Sequence, residues 1–371
     1  MSRHDTCSRY ELEVVRERDG VGFGRRRVPA AYLEPAREQT IFLAQRRGAV
    51  AADPTGVSVL DTPIFADATM GEVQGIEMCL DGSGPSSELG DPLAVRFTTR
   101  IFQSFGQRLA TELVEAKQVD GSDEIRLRVY AKAGANRIES KPVDSHPVAG
   151  GTGVVRAPLP LLEGRFDTLL PHATAVGPPV DRDYPVFITA AALDEAHELV
   201  WERNRERGVW LVGNLYRQHR PAEIFAVVHT VFEARGTTHE RFSINFSTET
   251  FTHVERQLEL RRARLGRPAD ALVGFYHTHP FLPSVLDGME ACPTCSLRPT
   301  CTLTSSFFSQ RDQAFHAAMF GSAAYAVQIV LGLTPREEFD VKMYCYDGGR
   351  FRERGYYRLA EMPHAMPAGV Q

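Results

Sequence analysis

Six cysteines in 371 residues are too few, and too unevenly spread, for a disulfide framework. No stretch approaches the roughly eighteen consecutive apolar residues of a membrane span. The N-terminal Met1-Ser2-Arg3-His4-Asp5-Thr6-Cys7 lacks the apolar core of a secretory signal. Nor is there an excess of positive charge, because 42 Lys and Arg stand against 47 Asp and Glu, a formal net charge of −5. Overall charge therefore does not favour nucleic acid or an anionic membrane as a partner. The basic run Arg261-Arg262-Ala263-Arg264 falls in a helical pattern whose inner side is Phe251, Val254, Leu258 and Leu265, and it reads as a solvated face. No repeat or heptad pattern stands out. The expectation is a cytoplasmic protein with no nucleic-acid or membrane partner, its oligomeric state left open.

The chain is 43% hydrophobic and 24% charged, ordinary for a globular protein, and its length suggests two domains. The first is expected over residues 1–180. Val95, Phe97, Thr99 and Ile101 alternate with polar residues as in a half-buried strand, and a helix follows with Phe105, Leu109 and Leu113 on one side. After Gly121-Ser122-Asp123, a second strand turns Ile125, Leu127, Val129 and Ala131 inward. This is an α+β domain of unknown role, in which Cys79 reads as inert core. Residues 134–180 hold seven of the 23 prolines, the composition of a linker, and Gly150-Gly151 within it reads as a flexible turn.

The second domain is expected over residues 181–362. Leu193, Ala196, Val200 and Trp201 mark the inner side of a helix that reaches Glu206, with Gly208 as its cap. Strands are predicted at 209–215, 224–232 and 242–246, a helix near 250–265, and a strand at 271–276. Further strands lie near 324–333 and 339–346, and Asp347-Gly348-Gly349 turns the latter into residues 351–358.

The most informative feature is His277-Thr278-His279-Pro280, directly after the apolar run Ala271-Leu272-Val273-Gly274-Phe275-Tyr276. Side chains two apart on extended backbone point the same way, so both imidazoles face one side at a strand end. Neutral imidazole is the commonest zinc ligand, and a third ligand would leave one position open. Asp312, in Ser309-Gln310-Arg311-Asp312, opens a helix-compatible stretch that is followed by a strand, which favours it as that ligand. Asp287, in Ser284-Val285-Leu286-Asp287, is the alternative.

A glutamate preceding a strand (Glu206, with Leu211 five and Gly213 seven residues on), then HxHP, then SxxD resembles the JAMM (MPN-plus) metalloprotease family. The resemblance covers residues ~184–360, and the N-terminal half is not recognised. One departure is the long spacer of 32 residues between His279 and Asp312. The resemblance implies a curved mixed β-sheet flanked by helices, an α+β fold with α/β-type layering. It also implies a catalytic zinc held by His277, His279 and Asp312 (or Asp287), with Glu206 as general base and Ser309 donating to the oxyanion. The implied activity is hydrolysis of a peptide or isopeptide bond at the C-terminal tail of a ubiquitin-like or sulfur-carrier-like protein. A non-catalytic interaction scaffold and a zinc hydrolase of a small amide are the competing readings.

The spacer, residues ~281–308, carries Cys292-Pro293-Thr294-Cys295 and Cys301. CxxC spacing lets two thiolates bind one ion, so a structural zinc, or an iron–sulfur cluster, is expected there. His316, Asp287 or Cys345 would supply a fourth ligand. The other reading is a group of reduced or buried thiols.

Overall fold

The computed structural model describes residues 7–51, 57, 59–67, 69–80, 94–131, 159–178, 183–240, 243–264, 270–283, 285–286, 289–290, 292–321 and 323–361. The fold is α+β and is built on two principal sheets. The first sheet comprises β1 (Cys7–Arg16), β2 (Gly22–Pro29), β3 (Val59–Asp67), β4 (Glu72–Leu80), β5 (Ala94–Thr98) and β6 (Ile125–Ala131). Its order is β2-β1-β6-β4-β3, with β5 also on β4, and every pairing is antiparallel. Helices α1 (Glu34–Arg46) and α2 (Gln103–Glu115) cover it. Phe105 and Leu109 of α2 join Leu12, Val14, Ile76 and Val129 in one core, as the helical and alternating patterns predict. The predicted strand from Val95 ends at Thr98, and Thr99–Phe102 form a 3-10 turn that carries Ile101 and Phe102 into the core.

The second sheet curls, and it carries the residues of interest. Its strands are β7 (Leu161–Glu163), β8 (Ala173–Val176), β9 (Val186–Thr189), β10 (Gly208–His219), β11 (Ala222–Glu233), β14 (Ala271–Thr278), β17 (Val327–Leu333), β18 (Phe339–Asp347), β19 (Arg350–Arg354) and β20 (Tyr356–Leu359). Two small hairpins complete the set: β12 (Thr238–Glu240) with β13 (Ser243–Asn245), and β15 (Val285–Leu286) with β16 (Met289–Glu290). The order β19-β18-β17-β14-β10-β11-β9-β20-β8, with β7 also on β10, mixes parallel and antiparallel neighbours. Helices α3 (Ala190–Val200), α4 (Thr248–Arg264) and α5 (Gln310–Phe320) flank it. Strands β7 and β8 come from the stretch whose proline content reads as a linker. At three and four residues they are too short to show a period.

Alternation along β10 builds two layers. Val209 and Leu211 pack with Leu193, Ala196 and Val200 of α3, while Trp210 packs with Val254 of α4 and Phe320 of α5. On β14, Phe275 shares the Trp210 side, so His277, two residues on, faces α5 as well. One expectation is corrected: α3 stops at Val200 and does not reach Glu206. Trp201 turns extended, and residues 201–207 form a loop that delivers Glu206 to the start of β10. Gly208 is therefore the first residue of a strand and caps no helix. A Cβ there would lie 2.2 Å from the Phe275 ring, so close packing requires the glycine.

The N-terminal half docks on the second sheet through α1. Arg46 makes a two-pronged bond to Glu223 at 2.7 and 2.8 Å, Gln39 donates to Asp347 at 3.1 Å, and Phe42 enters the second core against Tyr184.

Trp210 is fully buried and touches Phe246, Phe251, Phe275, Phe315 and Phe320. Trp210→Ala is expected to cost about 3–5 kcal/mol in denaturant unfolding, the range for truncating a core aromatic.

Candidate metal centre

His277 sits near the end of β14, a central strand paired with β10 (opposite Gly208) and with β17 (opposite Val330). His279 lies just past the strand, still held in register because its N–H donates to the Leu331 carbonyl at 2.8 Å. The two rings, with centroids 5.1 Å apart, face the same side, as the period of two predicts. Both side chains are almost wholly buried.

Asp312 reaches them from the first turn of α5. Ser309 is the N-cap: its hydroxyl oxygen accepts from the Asp312 N–H at 3.1 Å, and the Asp312 carboxylate accepts from the Ser309 N–H at 2.7 Å. This reciprocal capping box satisfies two free helix donors and fixes the carboxylate's direction. Asp312 Oδ1 then stands 3.1 Å from His277 Nε2, and Oδ2 stands 3.5 Å from His279 Nε2. The aromatic layer of Phe246, Phe275 and Phe315 sets α5 at this distance.

The ligand atoms of His277, His279 and Asp312 lie within 4.8 Å of one another, and the three form a group able to hold a metal ion. The polar chemistry fits such an ion. Neither ring nitrogen of His277 makes a hydrogen bond, although both are buried and Nε2 is close to a carboxylate oxygen. On His279, Nδ1 lies 2.8 Å from the Ser305 carbonyl, which can only accept. The proton therefore sits on Nδ1, and the Nε2 lone pair faces the cluster.

Glu206 completes the arrangement, with Oε1 3.9 Å from His279 Nε2 and the residue only 5% exposed. Burial pushes its pKa up to about 8; the neighbouring His279 opposes the rise and the Asp312 charge adds to it. For Asp312, burial also acts upward, but the two imidazoles outweigh it and hold the carboxyl well below its usual range. His279 is raised overall, because Asp312, Glu206 and the Ser305 carbonyl together overcome the effect of burial.

The structure thus brings together Glu206, His277, His279, Ser309 and Asp312. Asp287, the alternative ligand, lies outside the described residues. Cys292, Cys295 and Cys301 are not gathered into a comparable group: among the described residues, no other set of three ligands converges. Cys292 and Cys295 share a tight turn, with the Cys295 N–H donating to the Cys292 carbonyl at 3.2 Å, but Cys292 is buried and Cys295 exposed. His316 is buried elsewhere, against Gln328 and Phe351, and Cys345 lies on β18 opposite Val327. Neither joins the cysteines in a ligand group. Sequence reasoning missed Ser305, which sits in a run of three hydroxyl residues with no periodicity to single it out. It also missed a cleft of about 490 Å³ beside the site, lined by Trp201, Arg203, Pro280, Phe281, Leu282 and Glu337 among others.

No family model matches the chain, and no curated protein does. Among solved structures, the chain is similar to the solution structure of protein DSY2949 from Desulfitobacterium hafniense. The two are 13% identical over 48% of this chain and 97% of that one, with a TM-score of 0.30, a likeness too low to carry an argument.

Two outcomes are expected. Titration with Co2+ should load one equivalent at this site in the wild type and in Asp287→Ala but not in Asp312→Ala; the reverse pattern would move the third ligand into the spacer. In metal-free protein, Glu206 holds its proton more tightly when folded than when unfolded, where its pKa is 4.5. Its contribution to stability is thus complete below that pH and is lost as pH rises toward 8, by at most about 1.4 kcal/mol per pH unit. Glu206→Gln should remove that slope from unfolding curves measured across the interval.

Proposed function

We propose that this chain is a zinc-dependent peptidase or isopeptidase of the JAMM (MPN-plus) type, acting at the C-terminal tail of a ubiquitin-like or sulfur-carrier-like protein. The observation that carries the reading is a buried carboxylate, Glu206, set 3.9 Å from an imidazole of a His–His–Asp group delivered by separate elements. Two nitrogen donors and one carboxylate oxygen suit zinc and leave a position for water or substrate. Zinc bound there supplies Lewis acidity toward water and toward the scissile carbonyl.

The remaining work falls to the chain's own residues. Glu206, buried beside the His279 Nε2 at 3.9 Å, accepts a proton from the attacking water and returns it to the leaving amine. The Ser309 hydroxyl uses a lone pair on the Asp312 N–H, so its own O–H remains to donate to the developing oxyanion. Ser305 and the capping box keep the ligands in place while this occurs.

Large apolar side chains near the site support a polypeptide substrate. Phe307 packs on the His279 ring while 46% exposed, and Phe339 packs on Trp201 of the neighbouring cleft while 56% exposed. That cleft, at about 490 Å³, also falls in the range that takes a small molecule, so hydrolysis of a small amide is the second reading. The presence of glutamate, both histidines and the aspartate weighs against a non-catalytic scaffold.

Glu206→Gln should retain the metal and lose at least ~100-fold in turnover, because an amide cannot carry the proton. Zinc-loaded wild type and variant are to be compared on a ubiquitin-like protein fused through its C-terminal tail and on small acyl amides. Equal turnover by the variant removes Glu206 from the mechanism, and cleavage of the small amides alone selects the second reading.

A further inference from the structure

One residue ahead of α5 uses every polar group it has to join His279 to the end of β17. Ser305 is wholly buried. Its carbonyl accepts from His279 Nδ1 at 2.8 Å, and its hydroxyl donates to the His279 carbonyl at 3.1 Å. The same hydroxyl oxygen accepts from the Leu333 N–H at 2.8 Å, and the Ser305 N–H donates to the Leu333 carbonyl at 3.0 Å. Ser305 therefore links both ends of His279, ring and main chain, to the last residue of β17.

The surrounding packing keeps this link short. Gly332 lies beneath, where a Cβ would come within 2.2 Å of the Ser306 nitrogen and 2.5 Å of the Ser305 carbonyl carbon. The Tyr344 hydroxyl donates to the Ser306 carbonyl at 2.7 Å, and the Ser306 hydroxyl donates to Asp340. Phe281 stacks on one part of the His279 ring, with Phe307 at a tilt against it.

We propose that Ser305 is a positioning residue that locks His279 in the Nδ1–H tautomer, keeping Nε2 available to a divalent metal, so that tight metal binding requires Ser305 to be seated between His279 and Leu333. The chemistry is direct. A carbonyl cannot donate, so an imidazole held against it must carry its proton on that nitrogen. Because the carbonyl cannot be removed by substitution, its position is what the Ser305 side chain secures, through two main-chain partners on different elements. Second-sphere partners of this kind typically change metal affinity by about 10–100-fold.

The proposal rests on the reading of His277, His279 and Asp312 as a metal site, and the test uses metal uptake and ring chemistry instead of turnover. Co2+ affinity is measured by chelator competition for the wild type, Ser305→Ala and Tyr344→Phe. Ser305→Ala is expected to bind one equivalent about 10–100-fold more weakly, whereas Tyr344→Phe, which loosens the same segment without touching His279, stays within about threefold of wild type. Equal affinity of Ser305→Ala and wild type overturns the role of Ser305, as does an equal loss in Tyr344→Phe. Wild-type protein that takes up no Co2+ overturns the metal site itself. Should Ser305→Ala not fold, side-chain nitrogen NMR of metal-free wild type decides, recorded where the ring is neutral and assigned with His279→Gln. An Nδ1–H signal for His279 supports the proposal, and an Nε2–H signal sinks it.

Discussion

Two imidazoles and two carboxylates are crowded into one buried end of a strand, and how each carboxylate meets the imidazole nitrogens decides how readily it keeps its charge. Burial pushes Glu206 toward its neutral form against the pull of His279, while Asp312, set between two imidazoles, is held well below the usual range. The contrast between two acids in one pocket follows from which nitrogens each one meets. It also divides their roles: Asp312 stays an anion suited to hold a cation, and Glu206 is poised to gain or lose a proton. The rest of the second sheet is the frame that keeps these four groups together.

That frame works by assigning each group to a different kind of restraint. His277 is fixed by strand pairing on both sides, His279 by Ser305 and by its register with β17, and Asp312 by the capping box of α5. Glu206 lies in the loop before β10, where the packing of Gly208 under Phe275 sets how closely that loop approaches β14. The aromatic layer around Trp210 then fixes α5 against the sheet, so the helix and the strand cannot drift apart without opening the core. The N-terminal half adds a brace. Helix α1 ties the first sheet to β11 and β18 through Arg46 and Gln39, and no helix among the described residues is long and apolar enough to cross a membrane.

Much of this was legible beforehand. The run before His277, the period-two placement of the histidines, the helix opened by Ser309 and Asp312, and the strands β10, β11, β13, β14, β17, β18 and β19 follow from spacing and residue type, whereas the short strands β12, β15 and β16 did not show. The end of α3 was not, because Trp201, Glu202 and Arg203 are all compatible with helix and only the turn toward β10 stops it. Strands β7 and β8 were hidden by the prolines around them and by their brevity. The cysteine spacing suggested an ion site, yet spacing sets only which thiols lie near each other along the chain. The turn at 292–295 points one inward and the other to solvent.

By itself, the sequence determined the chemistry on offer: two imidazoles on one side of a strand end, a carboxylate pinned by its own helix cap, and a glutamate ahead of a buried strand. Those features depend on local geometry, where periods of two and of 3.6 leave little freedom. Only the tertiary structure decided that these groups meet, that Glu206 is dry enough to hold a proton, and that Ser305 sets the His279 tautomer. Convergence across 32 intervening residues, and the dielectric that shifts a pKa, come from packing between distant segments, which no local pattern encodes.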